Sequence, residues 1–85
     1  MRSPVDATHE LIPLGQMLAG QAARIDSVLG LPDLVHRLKE LGLRDGVVIQ
    51  MIQPGSPCII GLAGQRLCFR ADEVASVLVK LGAAA

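Results

Sequence analysis

Between residues 30 and 52 the hydrophobic positions change period, from helical to strand-like, across a single glycine. Leu31, Leu34, Leu38 and Leu41 recur at helical spacing while His36, Arg37, Lys39 and Glu40 form the polar side, which predicts a short amphipathic helix. Pro32 suits its first turn, where a missing N–H is no loss, and Asp33 suits the positive end of the helix dipole. Gly42 is placed to take the left-handed conformation that ends a helix, with Leu43 folding back onto Leu38. Arg44-Asp45-Gly46 makes a turn, and residues 47–52 follow as a β-rich run. So short a helix cannot bury its leucines alone. The pattern therefore predicts a plug, with Leu34, Leu38 and Leu41 packed on one end of a small β-barrel against Ile25, Ile49 and Phe69.

The flanking pattern supplies the strands. Residues 12–18 carry Pro13 and Gly15, which break regular structure, and read as a clasp whose Leu14 and Leu18 reach the core. Residues 21–28 alternate, Ala23 and Ile25 on one face against Arg24 and Asp26 on the other, and read as the first strand. After the dense loop signal Gln53-Pro54-Gly55-Ser56-Pro57, residues 58–62 and 67–70 read as a hairpin around Ala63-Gly64-Gln65-Arg66. Pairing Leu62 with Leu67 at its mouth sets Ile60 against Phe69 and Cys68 against Gly61. Cys58, Ile60, Leu62, Leu67 and Phe69 then point inward, and Ile59, Gly61 and Cys68 outward. Residues 71–74 form one helical turn, and residues 76–81 a last strand expected to return beside the first and close the barrel. The expected fold is mainly β, a five-stranded SH3-like barrel with one short helix between the first two strands.

Composition narrows what such a barrel does. The chain has 85 residues, enough for one domain, taken as residues 11–81 between a flexible lead-in at 1–10 and a tail at 82–85. Hydrophobic residues make up 51% of it, yet Phe69 is the only aromatic, so the core is aliphatic. Lys and Arg number 8 and Asp and Glu 8, giving a formal net charge of zero. Without a basic excess or stacking aromatics, nucleic acid is set aside as a partner. Neutrality likewise argues against an anionic membrane surface, and no apolar run is long enough for direct membrane insertion. With no signal peptide read at the start, a cytoplasmic location is expected.

With the elements placed, a family resemblance stands out. His36-Arg37-Leu38-Lys39-Glu40-Leu41-Gly42-Leu43-Arg44-Asp45-Gly46 resembles the "RLxELGLxxG" signature of the FeoA family, small proteins of bacterial ferrous-iron transport. Leu18-Ala19-Gly20-Gln21-Ala22-Ala23-Arg24-Ile25 before it and Gly55-Ser56-Pro57 after it agree in order. Gly64-Gln65-Arg66-Leu67-Cys68-Phe69-Arg70 resembles the family's "GxxxaLR" hairpin, and Glu73-Val74 its "EA" turn. The resemblance spans about residues 11–81 and implies an SH3-like five-stranded barrel. It also implies a partner, the membrane permease FeoB with its cytosolic GTP-binding (G) domain, met at the inner face of the membrane. The same fold ends metal-dependent repressors of the diphtheria-toxin-repressor type, but here a freestanding module is the expectation. Two departures stand out: Val48, Ile59 and Gly61 occupy places where many relatives carry outward charges, and Val74 stands for the Ala of the turn.

Catalysis has little to stand on. His9 lies in the lead-in and His36 on the wet helix face, so no Ser or Cys has an evident base. Asp72-Glu73 opens a helical turn, where acidic residues are favoured in any case. The glycine-rich stretches lack the spacing of a phosphate loop, and no enzyme and no cofactor are expected. For metal, Cys58 and Cys68 fall on opposite faces, whereas a structural zinc site wants four ligands. His36 and Glu40, one helical turn apart, are the weak candidates for Fe2+ or Zn2+, with a neighbouring molecule completing the shell. The apolar outward positions point instead to contact: Val48, Ile59 and Cys68, with Arg37, are the expected partner-binding residues. An accessory role at the permease is the leading expectation and a metal-responsive sensor module the alternative. A weak homo-oligomer is also expected, through the outward face in preference to strand edges.

Overall fold

The computed structural model describes residues 11–82. The lead-in assigned to residues 1–10, with His9, and residues 83–85 of the tail lie outside the described residues. In chain order the elements are β1 (Leu11–Pro13), a 3-10 turn (Leu14–Gln16), β2 (Ala22–Val28), helix α1 (Pro32–Glu40), β3 (Val48–Gln53), β4 (Cys58–Leu62), β5 (Gln65–Phe69), a second 3-10 turn (Ala71–Glu73) and β6 (Val77–Leu81). One antiparallel sheet runs β1-β6-β2-β3-β4-β5. This corrects the five-stranded closed barrel: the described residues form six strands, and their sheet stays open.

As expected, β6 returns beside β2, with Ile25 opposite Val79 and Val28 opposite Val77. Its other side, however, is taken by β1, with Leu11 opposite Lys80 and Pro13 opposite Leu78, so among the described residues β1 and β5 are left as edges. The clasp concealed that strand because Pro13 and Gly15 read as breakers. On an edge, at a strand's last residue, a proline forfeits little of the ladder. The clasp's inward residues are Leu14 and Met17, whereas Leu18 is 66% exposed, because the first 3-10 turn sets Leu14 and Met17 on one side.

The helix starts and stops as its residues dictate. Pro32 stands at its first position with Asp33 in the first turn, and Leu31 before it is extended. At the other end Gly42 has φ +110, the Gly42 N–H donates to the Lys39 carbonyl at 3.1 Å, and the Leu43 N–H donates to the Leu38 carbonyl at 3.0 Å. This is the Schellman arrangement, with Leu38 and Leu43 as its apolar pair, both fully buried. The reversal puts Leu43, not Leu41, over the core, and Leu41 stays exposed, as does Leu31. The plug is therefore Leu38 and Leu43 with Leu34 and Val35 half-buried beside them, instead of the Leu34, Leu38 and Leu41 set.

Ile25, Ile49 and Phe69 join the same aliphatic core, together with Ile60, Val77 and Val79, and none of the described polar or charged residues is buried. The hairpin turn is tighter than expected. Ala63 and Gly64 alone make it, with φ +51 and +82, the two positive values of a type I′ turn. Leu62 accordingly faces Gln65, Ile60 faces Leu67 and Cys68 faces Ile59, in place of the Leu62–Leu67 register. The error is two residues, one full pleat period, so every side chain kept its expected face: Cys58, Ile60, Leu62 and Phe69 are buried and Cys68 is exposed.

Candidate interaction surface

Alternation along three strands builds the outer face of the sheet. On β3, Ile49 and Met51 point into the core and Val48, Gln50 and Ile52 point out. The β3–β4 register shifts between Met51 and Gln53, so Ile52 sits in a bulge with no direct partner. Its side chain leans over β4, where a Cβ on Gly61 would meet Ile52 Cδ1 at 3.4 Å. An open groove of about 530 Å³ results, walled by Val48, Gln50, Ile52, Ala63 and Arg66 and floored by Gly61. One step along the sheet Ile59 and Cys68 form a cross-strand pair on the same face. Val48 and Ile52 are 40% and 37% exposed, large apolar side chains left in water where sheet surfaces ordinarily carry polar ones.

Three of the four residues expected at a partner contact, Val48, Ile59 and Cys68, thus share one face. Arg37 does not. It lies on α1, which packs on the core side of the sheet, and its guanidinium is paired with the Glu73 carboxylate on the second 3-10 turn. Glu73 works at both ends, because its Oε1 accepts the Arg70 backbone N–H at 2.8 Å. The turn's dipole alone accounts for acidic residues here, but the tie to α1 is a further contact that the sequence pattern does not show. The spacing from Arg70 to Glu73, that of a cap residue and the third residue of a turn, signals the cap but not the tie to α1. Between α1 and that turn lies a second open cleft, lined by Leu31, Pro32, Leu34, Arg37, Arg70 and Asp72 among others.

His36 and Glu40 do meet, Nε2 to Oε2 at 3.1 Å, on an exposed stretch of α1. Two ligands make a partial shell, and among the described residues no group of three or more His, Cys, Asp or Glu side chains gathers. Cys58 and Cys68 fall on opposite faces as expected, the first buried and the second exposed. Burial, and secondarily the neighbouring Cys68, push the Cys58 thiol above its ordinary range, which suits a core residue and not a reactive thiolate. No helix among the described residues is long and apolar enough to cross a membrane.

Comparison with known proteins gives one consistent pattern. Residues 12–81 match the family model of the FeoA domain. Among solved structures, the chain is similar to an iron uptake regulatory protein (FeoA) at 26% identity, covering 85% of this chain and 99% of that one, with a TM-score of 0.79. It is similar to FeoA of Chlorobium tepidum at 26% identity, over 87% and 73% of the two chains, with a TM-score of 0.75. It is also similar to Stenotrophomonas maltophilia FeoA complexed with zinc, described as a prokaryotic SH3 domain protein, at 28% identity over 81% and 89%, TM-score 0.73. No curated protein matches the chain.

Proposed function

The chain belongs to the FeoA family, and from that premise we propose that it is a non-enzymatic accessory protein of bacterial ferrous-iron uptake that binds the cytosolic part of a FeoB-type permease. The observation that carries the contact is the outer face of β3–β5, where Val48 and Ile52 wall the groove over Gly61 and the Ile59–Cys68 pair lies beside it on the same face. Apolar area of this kind is removed from water when a partner covers it, at roughly 25 cal/mol per Å². Arg66 and Gln50 border the patch and supply the polar rim that fixes orientation. Nothing in this reading requires iron to touch the protein, which acts in the cytoplasm at the inner face of the membrane.

Co-purification of the full chain with full-length permease in membranes, and with the isolated G domain, tests the reading. A complex that survives washing is expected from both. The alternative, a module that binds Fe2+ or Zn2+ itself, has one observation in its favour, the His36–Glu40 pair on α1. Anaerobic titration with ferrous iron separates the two. Absence of any permease complex together with a tight stoichiometric iron site would reverse the order.

A further inference from the structure

We infer that β5 is a self-pairing edge: two copies of the chain join antiparallel through their β5 strands, in a register centred on Leu67. The phase of the hairpin sets which backbone groups are free. In a type I′ turn the flanking residues are a hydrogen-bonded pair, so Leu62 bonds Gln65, and by alternation Ile60 bonds Leu67 and Cys58 bonds Phe69. The N–H and C=O of Arg66 and Cys68 therefore point away from β4, along the open edge. Two neighbours confirm the phase. The Ala71 N–H, on the β4 side, donates to Ser56 Oγ at 3.3 Å, and the Arg70 N–H, on the open side, is taken by Glu73 Oε1.

The two edges of the sheet are not equally protected. Among the described residues β1 is three residues long, and it ends in Pro13, two of the usual devices against edge pairing. β5 has five residues, no proline and no inward charge. Glu73 closes its far end, so among the described residues the free groups reduce to those of Arg66 and Cys68.

Only one antiparallel register serves these groups without penalty. Centring on Arg66 sets two guanidinium groups directly opposite each other. Centring on Cys68 sets Arg66 against Arg70, again like charges, and calls on an Arg70 N–H already engaged. Centring on Leu67 pairs Arg66 with the second copy's Cys68 and the reverse, so every free N–H and C=O of the two finds a partner. It also sets Leu67 against its own symmetry mate on the inner face. Leu67 is half-buried at the margin of the core, and the second copy completes its burial. The interface is isologous and closes as a dimer.

Two experiments decide it. Sedimentation equilibrium over a tenfold concentration range should show the wild type rising toward twice the chain mass. Cys68→Pro, which removes an outward N–H and leaves the β4 ladder intact, should stay monomeric with an unchanged circular dichroism spectrum. The second test needs no proline. Leu67→Cys, combined with Cys68→Ser, should cross-link on mild oxidation, because a pair not joined by hydrogen bonds has Cα atoms about 4.5 Å apart, within disulfide reach. Gln65→Cys with Cys68→Ser should not, its mate being four residues out of register. Wild type that stays monomeric, Cys68→Pro that dimerises as well as wild type, or equal cross-linking at positions 65 and 67 would each overturn the edge dimer. So would dissociation by Ile59→Lys, with Cys68→Pro unaffected, which would assign self-contact to the outer face.

Discussion

Gly42 does two jobs at one position. Its φ of +110 ends α1, and a Cβ there would stand 2.8 Å from Leu62 Cδ2, closer than atoms of that kind approach. Gly42→Val should therefore lose about 1–3 kcal/mol from backbone strain alone, with the clash added, read as a drop in the urea midpoint at unchanged slope. Cys58 makes a different prediction. The folded protein holds its thiol proton more tightly than the unfolded chain does, because burial disfavours the thiolate. That advantage is whole below the unfolded thiol's pKa, about 8.5, and is gone once pH has risen through the higher folded value. Wild-type stability should decline above that pH more steeply than that of Cys58→Ala, measured by denaturant titration at a series of pH values. The glycine was legible in the sequence from its place after a leucine stripe. The burial of Cys58 was legible from alternation. The tie from Glu73 to Arg37 was not, because it joins residues distant in the chain whose meeting depends on where the second 3-10 turn lands.

At the scale of elements, the helix shows how a pattern can be right in kind and wrong in membership. Helical spacing extends the leucine stripe through Leu41, but the Schellman turn redirects the chain and substitutes Leu43 for Leu41. Leu38→Ala should thus cost about 2–5 kcal/mol, the usual range for emptying a buried leucine site, whereas Leu41→Ala should stay within about 1 kcal/mol, being an exposed position. Equal effects in chemical denaturation would contradict this packing. Strand faces were legible throughout because a period of two survives a two-residue register error. Strand β1 and the open edges were not, since the choice between β1 and β5 as neighbour of β6 is a matter of tertiary geometry that no local pattern encodes. The bulge at Ile52 belongs to the same class: β3 alone gives no sign of it, and it is what tips Ile52 across Gly61.

Two surfaces of the molecule differ in chemistry: the middle of the helix is polar, with His36, Glu40 and the Arg37–Glu73 tie, and the outer sheet face carries the apolar Val48 and Ile52. If the outer face is the permease contact, Ile59→Lys, at a half-buried outward position, should abolish co-purification while the far-ultraviolet circular dichroism spectrum stays that of the folded wild type. Retained binding would move the contact to another surface. The likeness to FeoA was readable because the helix stop, the loop and the hairpin come in family order; the partner surface was readable only as outward apolar positions, which alternation places but cannot rank. The pairing of β2 with β6 carries a consequence for how the protein is made. Val28 meets Val77, so the sheet joins the early and late parts of the chain across residues 29–76. Closing so long a span precedes any reward from the contacts it brings, which puts folding on the order of milliseconds to seconds. During synthesis the core cannot be completed until β6 has left the ribosome, and until then β2 presents Ala23, Ile25 and Val28 without their partner strand. A nascent chain stalled before Val77 would be a substrate for chaperones or proteases, and the last strand is the one whose release commits the domain to its fold.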